Sequence, residues 1–120
     1  MPTTGGHHPR QVRAATGLAL LWARAWGARP VEDPATGLLV CAGMRGGHGR
    51  GGTTIGRVFL TGHRGVGPEL LRHEAVHARQ WDRHGLGFAA RYLVEECRRP
   101  RERNRFEQEA GLADGGYPEV

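Results

Sequence analysis

The sequence contains no lysine, so all 17 of its basic residues are arginine, and they exceed the 12 acidic residues. The formal net charge of +5 raises the question of nucleic-acid binding, which typically gathers basic residues on one surface. Here the arginines are spread along the chain, and the densest run, residues 98 to 105, also contains Pro100 and Glu102. This run is typical of a solvated connector. The charge therefore predicts no specific nucleic-acid site.

Cysteine is scarce, since only Cys41 and Cys97 are present and they lie far apart. This spacing excludes a thiolate zinc cluster, and it permits a disulfide without indicating one. The lack of lysine also excludes a phosphate-binding P-loop in the glycine-rich stretch of residues 43 to 52. We expect that stretch to be a flexible connection.

No apolar run is long enough to span a bilayer, which predicts a chain without a transmembrane segment. Arg10 and Arg13 precede a short apolar run, so residues 1–25 acting as a signal peptide of a secreted protein are an alternative. A structural helix in a cytoplasmic protein is favoured, because apolar residues recur there at steps of three and four. These residues are Val12, Ala15, Ala19, Trp22 and Trp26, with Leu18 and Leu21 widening the same face.

A chain of 120 residues is long enough for one domain with a modest core, which we place at residues 10–117 after a disordered N-terminus of residues 1–9. Alternating helical and β-branched segments predict an α+β fold. The predicted elements are helices at 10–27, 88–99 and 102–113, a helix from Pro68 to Gly85, and strands at 38–42 and 53–61 paired antiparallel.

The central helix carries the sequence His73-Glu74-Ala75-Val76-His77, which is an HExxH motif. Pro68 suits the first helical turn, and Gly85 is a typical C-terminal stop. Residues four apart lie on one helix face, so His73 and His77 can present two imidazole nitrogens to one metal ion, with Glu74 beside them. This arrangement is typical of zinc hydrolases.

Catalytic zinc usually has three protein ligands, so a third is required. The metzincin pattern is excluded because Gln80 and Arg83 occupy the positions of its glycine and third histidine. His84 lies about 10 Å along the helix axis from His77, which is too far for the same ion. Two glutamates on later helices remain, Glu96 and Glu107. Glu107 is favoured because Phe106 beside it can anchor its helix in the core, and Glu96 is the alternative third ligand.

The residues His73 to Trp81, followed by Gly85 and by Asn104-Arg105-Phe106-Glu107-Gln108-Glu109-Ala110, resemble small bacterial zincin-like proteins with HExxHxxQ and NxFExxA motifs. The resemblance covers about residues 17 to 117. It implies a minimal zincin-like fold with an N-terminal helix, a short antiparallel β-hairpin, the HExxH helix and two C-terminal helices. It also implies a gluzincin-type Zn²⁺ site on His73, His77 and Glu107. Gluzincins of the ExxAD type have an aspartate where this chain has Gly111, and Asp114 is a weak substitute.

These features predict a zinc metallopeptidase in which Glu74 is the general base for a zinc-activated water. Candidate donors to the oxyanion are His63, His84, Tyr92 and Tyr117, while Gln80 is a candidate hydrogen-bond partner near the metal. A polypeptide substrate pairing with strand 53–61 would explain how a small protein holds its substrate, although the strand could equally be a simple cover for the helix. Two other classes stay open: a non-catalytic zinc-stabilised binding module, and a basic nucleic-acid-binding protein with an accidental HExxH. The sequence does not define an oligomeric state.

Overall fold

A computed structural model describes residues 8–49 and 51–116. These residues form an α+β fold with four α-helices and a small mixed sheet. The elements in chain order are α1 (Pro9–Ala25), β1 (Val31–Glu32), β2 (Leu39–Cys41), β3 (Thr53–Ile55), β4 (Val58–Leu60), α2 (Pro68–His84), α3 (Gly87–Arg98), a 3₁₀ turn (Arg101–Arg103) and α4 (Arg105–Ala110). Most of the segment predicted as disordered, residues 1–9, lies outside the described residues, but Pro9 already belongs to α1.

The first helix buries its small residues rather than its large ones. Its core-facing side chains are Val12, Ala15, Ala19 and Ala23. The expectation that Leu18, Leu21 and Trp22 face the core was wrong: the two leucines are each 68% exposed, and Trp22 is 49% exposed. Alanine lets a helix approach a sheet closely, and on α1 this leaves the larger apolar side chains on the outer face.

The segment predicted as one strand, residues 53–61, folds back on itself as the β3–β4 hairpin. Gly56 lies in the two-residue turn with a φ of +61°, as expected of the first turn residue in a type II′ hairpin. A Cβ atom at Gly56 would lie 2.5 Å from Oγ1 of Thr16, so the turn also needs glycine for its contact with α1. The composition of the segment hid this turn, because Thr53, Thr54 and Ile55 before it and Val58 after it are all β-branched.

The sheet has the strand order β1-β2-β4-β3. The predicted antiparallel pairing of 38–42 with 53–61 was wrong, because β2 pairs with β4 in parallel. After β2 the chain passes to the edge of the sheet, where it forms β3. The hairpin then places β4 between β3 and β2. Consequently β3 is an edge strand, and it contacts α2.

The HExxH helix α2 has the predicted limits, with Pro68 at its N-terminus and Gly85 after its last residue at a φ of +62°. Ala75 and Ala78 are buried against Leu38, with Leu71 at the margin of this cluster. A second cluster joins α1, α2, α3 and α4 through aromatic residues, and it consists of Val12, Ala15, Trp81, Phe88 and Phe106. The helix is therefore packed on two sides.

The last helix is shorter than predicted at both ends. Residues 102–113 do not form one helix, because a 3₁₀ turn precedes α4, which ends before Gly111 at a φ of +95°. The side chain of Asn104 caps α4 by accepting a hydrogen bond from the Phe106 N–H at 2.8 Å. None of the helices in residues 8–49 and 51–116 is long and apolar enough to cross a membrane.

Candidate metal centre

Three buried side chains converge where α2 meets α4. The Nε2 atoms of His73 and His77 lie 3.2 Å apart, and they lie 2.8 Å and 3.0 Å, respectively, from Oε1 of Glu107. The three residues are each at most 6% exposed. The fold thus brings together the two motif histidines and the favoured third residue, which is separated from them by the whole of α3.

The orientation of His73 is fixed by the turn that follows α4. Its Nδ1 lies 2.8 Å from the carbonyl oxygen of Gly111. A carbonyl can only accept a hydrogen bond, so Nδ1 must carry the proton, and neutral His73 then presents the lone pair of Nε2 toward Glu107. The predicted substitute Asp114 does not perform this role, since it forms an ion pair with Arg72 at 3.5 Å.

Gln80 fixes the orientation of His77 in the same way. Its Nε2 donates to the carbonyl of Phe106 at 3.0 Å and to Glu109 at 2.6 Å, so its Oε1 must face Nδ1 of His77, at 2.7 Å. This oxygen accepts a hydrogen bond, which again places the proton on Nδ1. Gln80 itself is fully buried.

Two lone pairs and a carboxylate oxygen therefore point at one another, and such an arrangement favours a shared cation. The sides of the triangle, 2.8 to 3.2 Å, are close to the roughly 3.3 Å that separates ligands at bond lengths of about 2.0–2.1 Å around tetrahedral zinc. Within the described part of the chain, His73, His77 and Glu107 are the group of this kind that could hold a metal ion.

The charges of the group are coupled. Burial raises the pKa of Glu107, but without a bound cation three effects outweigh it: hydrogen bonds that His73 and His77 donate from Nε2 when protonated, the charge of His77, and a hydrogen bond from Tyr92. The pKa of Glu107 is therefore well below its usual range. Burial lowers the pKa of His77, yet the hydrogen bond and charge of Glu107 raise it overall. The carboxylate is thus ionised, and it attracts positive charge to this position.

Glu74 lies next to this group without joining it. The carboxylate is buried, and its Oε1 accepts a hydrogen bond from Oγ1 of Thr54 on the edge strand at 2.7 Å. Burial raises the pKa of Glu74, while His77 and the Thr54 hydrogen bond oppose the increase. A carboxylate with a raised pKa is suited to accepting and releasing a proton.

Tyr92 reaches the group from α3, where its hydroxyl donates to Oε2 of Glu107. This bond leaves Oε1 as the oxygen that faces both histidines. Glu96, the alternative third ligand, is not part of the group: its carboxylate accepts from the Arg101 N–H and from Nδ2 of Asn104, each at 3.0 Å. Glu96 therefore joins α3 to the start of α4.

The remaining candidate donors to an oxyanion are His63, His84 and Tyr117. His63 is exposed and lines the cleft above it. His84 does not line this cleft, because its ring stacks on Phe88, and burial together with nearby arginines lowers its pKa. Tyr117 lies outside the described residues.

The group opens into a cleft of about 620 Å³. Edge strand β3 forms part of its lining, and apolar side chains from β4, α2 and α3 form another part. These are Phe59, Leu70, Phe88 and Leu93. A ligand in this cleft would contact both the edge strand and the converging polar group.

Sequence reasoning missed four residues that shape the group: Thr54, Glu109, Gly111 and Gly115. A Cβ atom at Gly115 would lie 2.4 Å from Cε1 of His73, so this glycine permits the C-terminal turn to cover the imidazole. No local pattern in the sequence distinguishes such a close approach at Gly115 from a flexible C-terminal end. Thr54 could be identified only once β3 was known to lie beside α2.

The described residues thus define an α+β fold with a buried His₂Glu group that could hold a metal ion. The chain matches no protein-family model, no curated protein and no solved structure. The resemblance to zincin-like proteins therefore stays a prediction from motifs, and the function is inferred from the side chains of the cleft itself.

Proposed function

We propose that this chain is a zinc metallopeptidase with a minimal zincin-like fold of the gluzincin type. The observation that carries the proposal is the triangle formed by two imidazole lone pairs and one carboxylate oxygen, with Glu74 beside it at the base of an open cleft. Zinc bound there would lower the pKa of water in its fourth position to roughly 7 and polarise an amide carbonyl.

The residues of the chain divide the remaining tasks. Glu74 accepts the proton of the attacking water and delivers it to the leaving nitrogen. It can do so because its carboxylate lies beside the candidate metal ligands without being one of them. Thr54 holds Oε1 of Glu74, so the carboxylate keeps one orientation. Gly111 and Gln80 keep both imidazoles in the tautomer that binds a metal through Nε2.

The edge strand offers a means of holding a polypeptide. Ile55 and Val58 flank the two-residue turn and form a hydrogen-bonded pair, so the next pair, Thr54 with Phe59, is not hydrogen-bonded. The backbone N–H and C=O of Thr54 therefore point away from β4. Nε1 of Trp81 already donates to the Thr54 carbonyl at 2.9 Å, so the Thr54 N–H is the group on this outer edge that is left for a peptide. An extended peptide that pairs there would cross the cleft beside Glu74.

A non-catalytic zinc-stabilised module is the second candidate. It is favoured by the burial of the ligands, which would let zinc contribute to folding. The open cleft and the separate position of Glu74 favour catalysis, since a structural site is usually closed by a fourth protein ligand.

Metal content and peptide hydrolysis, measured on the same preparations, distinguish these candidates. We expect stoichiometric zinc in the wild type and in Glu74→Gln, loss of zinc in Glu107→Ala, and retention of zinc in the matched control Glu96→Ala. Hydrolysis of a mixed peptide library should be lost in Glu74→Gln. Zinc without hydrolysis in the wild type would indicate the binding module. Purification without zinc, together with salt-sensitive nucleic-acid affinity, would indicate an accidental HExxH.

A further inference from the structure

The outer face of α1 carries an apolar stripe that stays exposed among the described residues. Leu18 and Leu21 are each 68% exposed and Trp22 is 49% exposed, although α1 already buries its opposite face in the core. Ala14 and Ala25 are also exposed, and the positions 14, 18, 21, 22 and 25 fall on one side of a helix. Contiguous exposed apolar surface of this kind marks an interaction site.

The charged residues of α1 itself have one sign. The 17 residues of α1 include Arg10, Arg13 and Arg24 and no acidic residue, and all three arginines are exposed. Among residues 8–49 and 51–116, the arginines that form ion pairs lie outside α1, and none of these three does so. Arg45 adds a further cation near the end of the helix, where its Nη2 donates to the Ala25 carbonyl at 3.4 Å.

The apolar stripe and the arginines of α1 together favour one kind of binding partner over others. A second copy of the chain would place the same arginines opposite one another, with no acidic residue on the helix to pair with them. Nucleic acid would satisfy the arginines but would leave the leucines without an apolar partner. An anionic bilayer satisfies both, because its headgroups attract arginine and its acyl chains accept leucine.

We propose that the outer face of α1 docks on an anionic lipid surface. The helix lies parallel to the bilayer, with Leu18 and Leu21 at the boundary between headgroups and acyl chains. Trp22 is suited to the headgroup level because its indole is amphipathic and the residue is 49% exposed, and its Nε1 is already satisfied by the Gly47 carbonyl at 2.6 Å. Val12, Ala15, Ala19 and Ala23 already hold the helix on the core, so docking requires no folding step.

Co-sedimentation of the full chain with vesicles tests this proposal. We expect binding to vesicles of phosphatidylcholine mixed with phosphatidylglycerol, and much weaker binding to phosphatidylcholine alone. Raising the salt concentration should release the protein, because the arginine contribution is screened. The double variant Leu18→Glu/Leu21→Glu should bind the anionic vesicles about tenfold less or weaker still.

Val94→Glu is the matched control, because Val94 is also exposed on a helix, at 55%, but lies on α3. It should bind as the wild type does, and circular dichroism should show both variants folded, since all three side chains are exposed. Absence of wild-type binding to anionic vesicles would overturn the proposal. So would equal losses in the double variant and in Val94→Glu. A wild-type dimer that the double variant abolishes, without vesicle binding, would identify a second copy as the occupant instead.

Discussion

Gln80 holds His77 in a single tautomer, because its carboxamide oxygen lies 2.7 Å from Nδ1 and its amide nitrogen is committed to Phe106 and Glu109. The glutamine lies three residues after the histidine on α2, so one helix supplies both the ligand and the group that orients it. The bond also raises the pKa of His77, although the effect of Glu107 is larger.

Replacing Gln80 with leucine should therefore weaken zinc binding by about 10–100-fold, which is the usual effect of removing a hydrogen-bond partner of a ligand histidine. Competition with a chromogenic chelator measures this on folded protein. Arg79→Leu, at the exposed neighbouring position, is the control and should keep the wild-type affinity. An unchanged affinity in Gln80→Leu would show that the tautomer of His77 is fixed by other means.

Tyr92 should act on Glu107 rather than on a substrate. Its hydroxyl donates to Oε2 and contributes to the lowered pKa of Glu107. Tyr92→Phe should therefore reduce zinc affinity by about tenfold, which is less than the complete loss expected for Glu107→Ala. A variant that keeps full zinc affinity but loses kcat would instead assign Tyr92 to the oxyanion.

Gly115 should be intolerant of any side chain because of its contact with His73. An added Cβ atom would lie 2.4 Å from Cε1 and 2.8 Å from Nε2 of the imidazole, so either the turn or the ring must move. Gly115→Ala should lower zinc affinity by at least about tenfold. Gly65→Ala is the control, because a Cβ atom there would meet nothing within 4 Å. Equal zinc affinity in the two variants would contradict the assigned contact.

Local chemistry was sufficient to predict the part of the group that lies on α2. Pro68, Gly85 and the absence of glycine or proline between residues 69 and 84 define the helix, and helical spacing then places His73 beside His77. Glu107 was predicted because Phe106 anchors its short helix, and Phe106 is indeed buried in the aromatic cluster.

Long-range pairing could not be predicted in the same way. The choice between parallel and antiparallel pairing of β2 depends on where β3 goes, and this depends on the Gly56 turn fitting against Thr16 of α1. Thr54 meets Glu74 only as a consequence of that pairing. The buried face of α1 was predicted only in part. Val12, Ala15 and Ala19 are buried as expected, but Leu18, Leu21 and Trp22 are exposed, because close approach of the helix to the core selects alanine over larger apolar residues.

Thr54 should set the acid limb of the pH–activity profile. Its hydroxyl bonds the ionised form of Glu74 and thereby opposes the increase in pKa that burial causes. In Thr54→Val, which is nearly isosteric, that opposition is lost and the pKa of Glu74 should rise further. Because Glu74 must be ionised to accept a proton, the acid limb of kcat/KM should move to higher pH, while activity well above the limb recovers.

Thr53→Val provides the comparison on the same strand, since the Thr53 hydroxyl donates to the His48 carbonyl at 2.7 Å and not to Glu74. Its acid limb should coincide with that of the wild type. Zinc content must be equal in the two variants, so that a shifted limb reports on Glu74 and not on loss of metal. If Thr54→Val lowers kcat/KM equally at every pH, the threonine orients Glu74 without tuning its ionisation. A limb that moves to lower pH would contradict the role of Glu74 as the base.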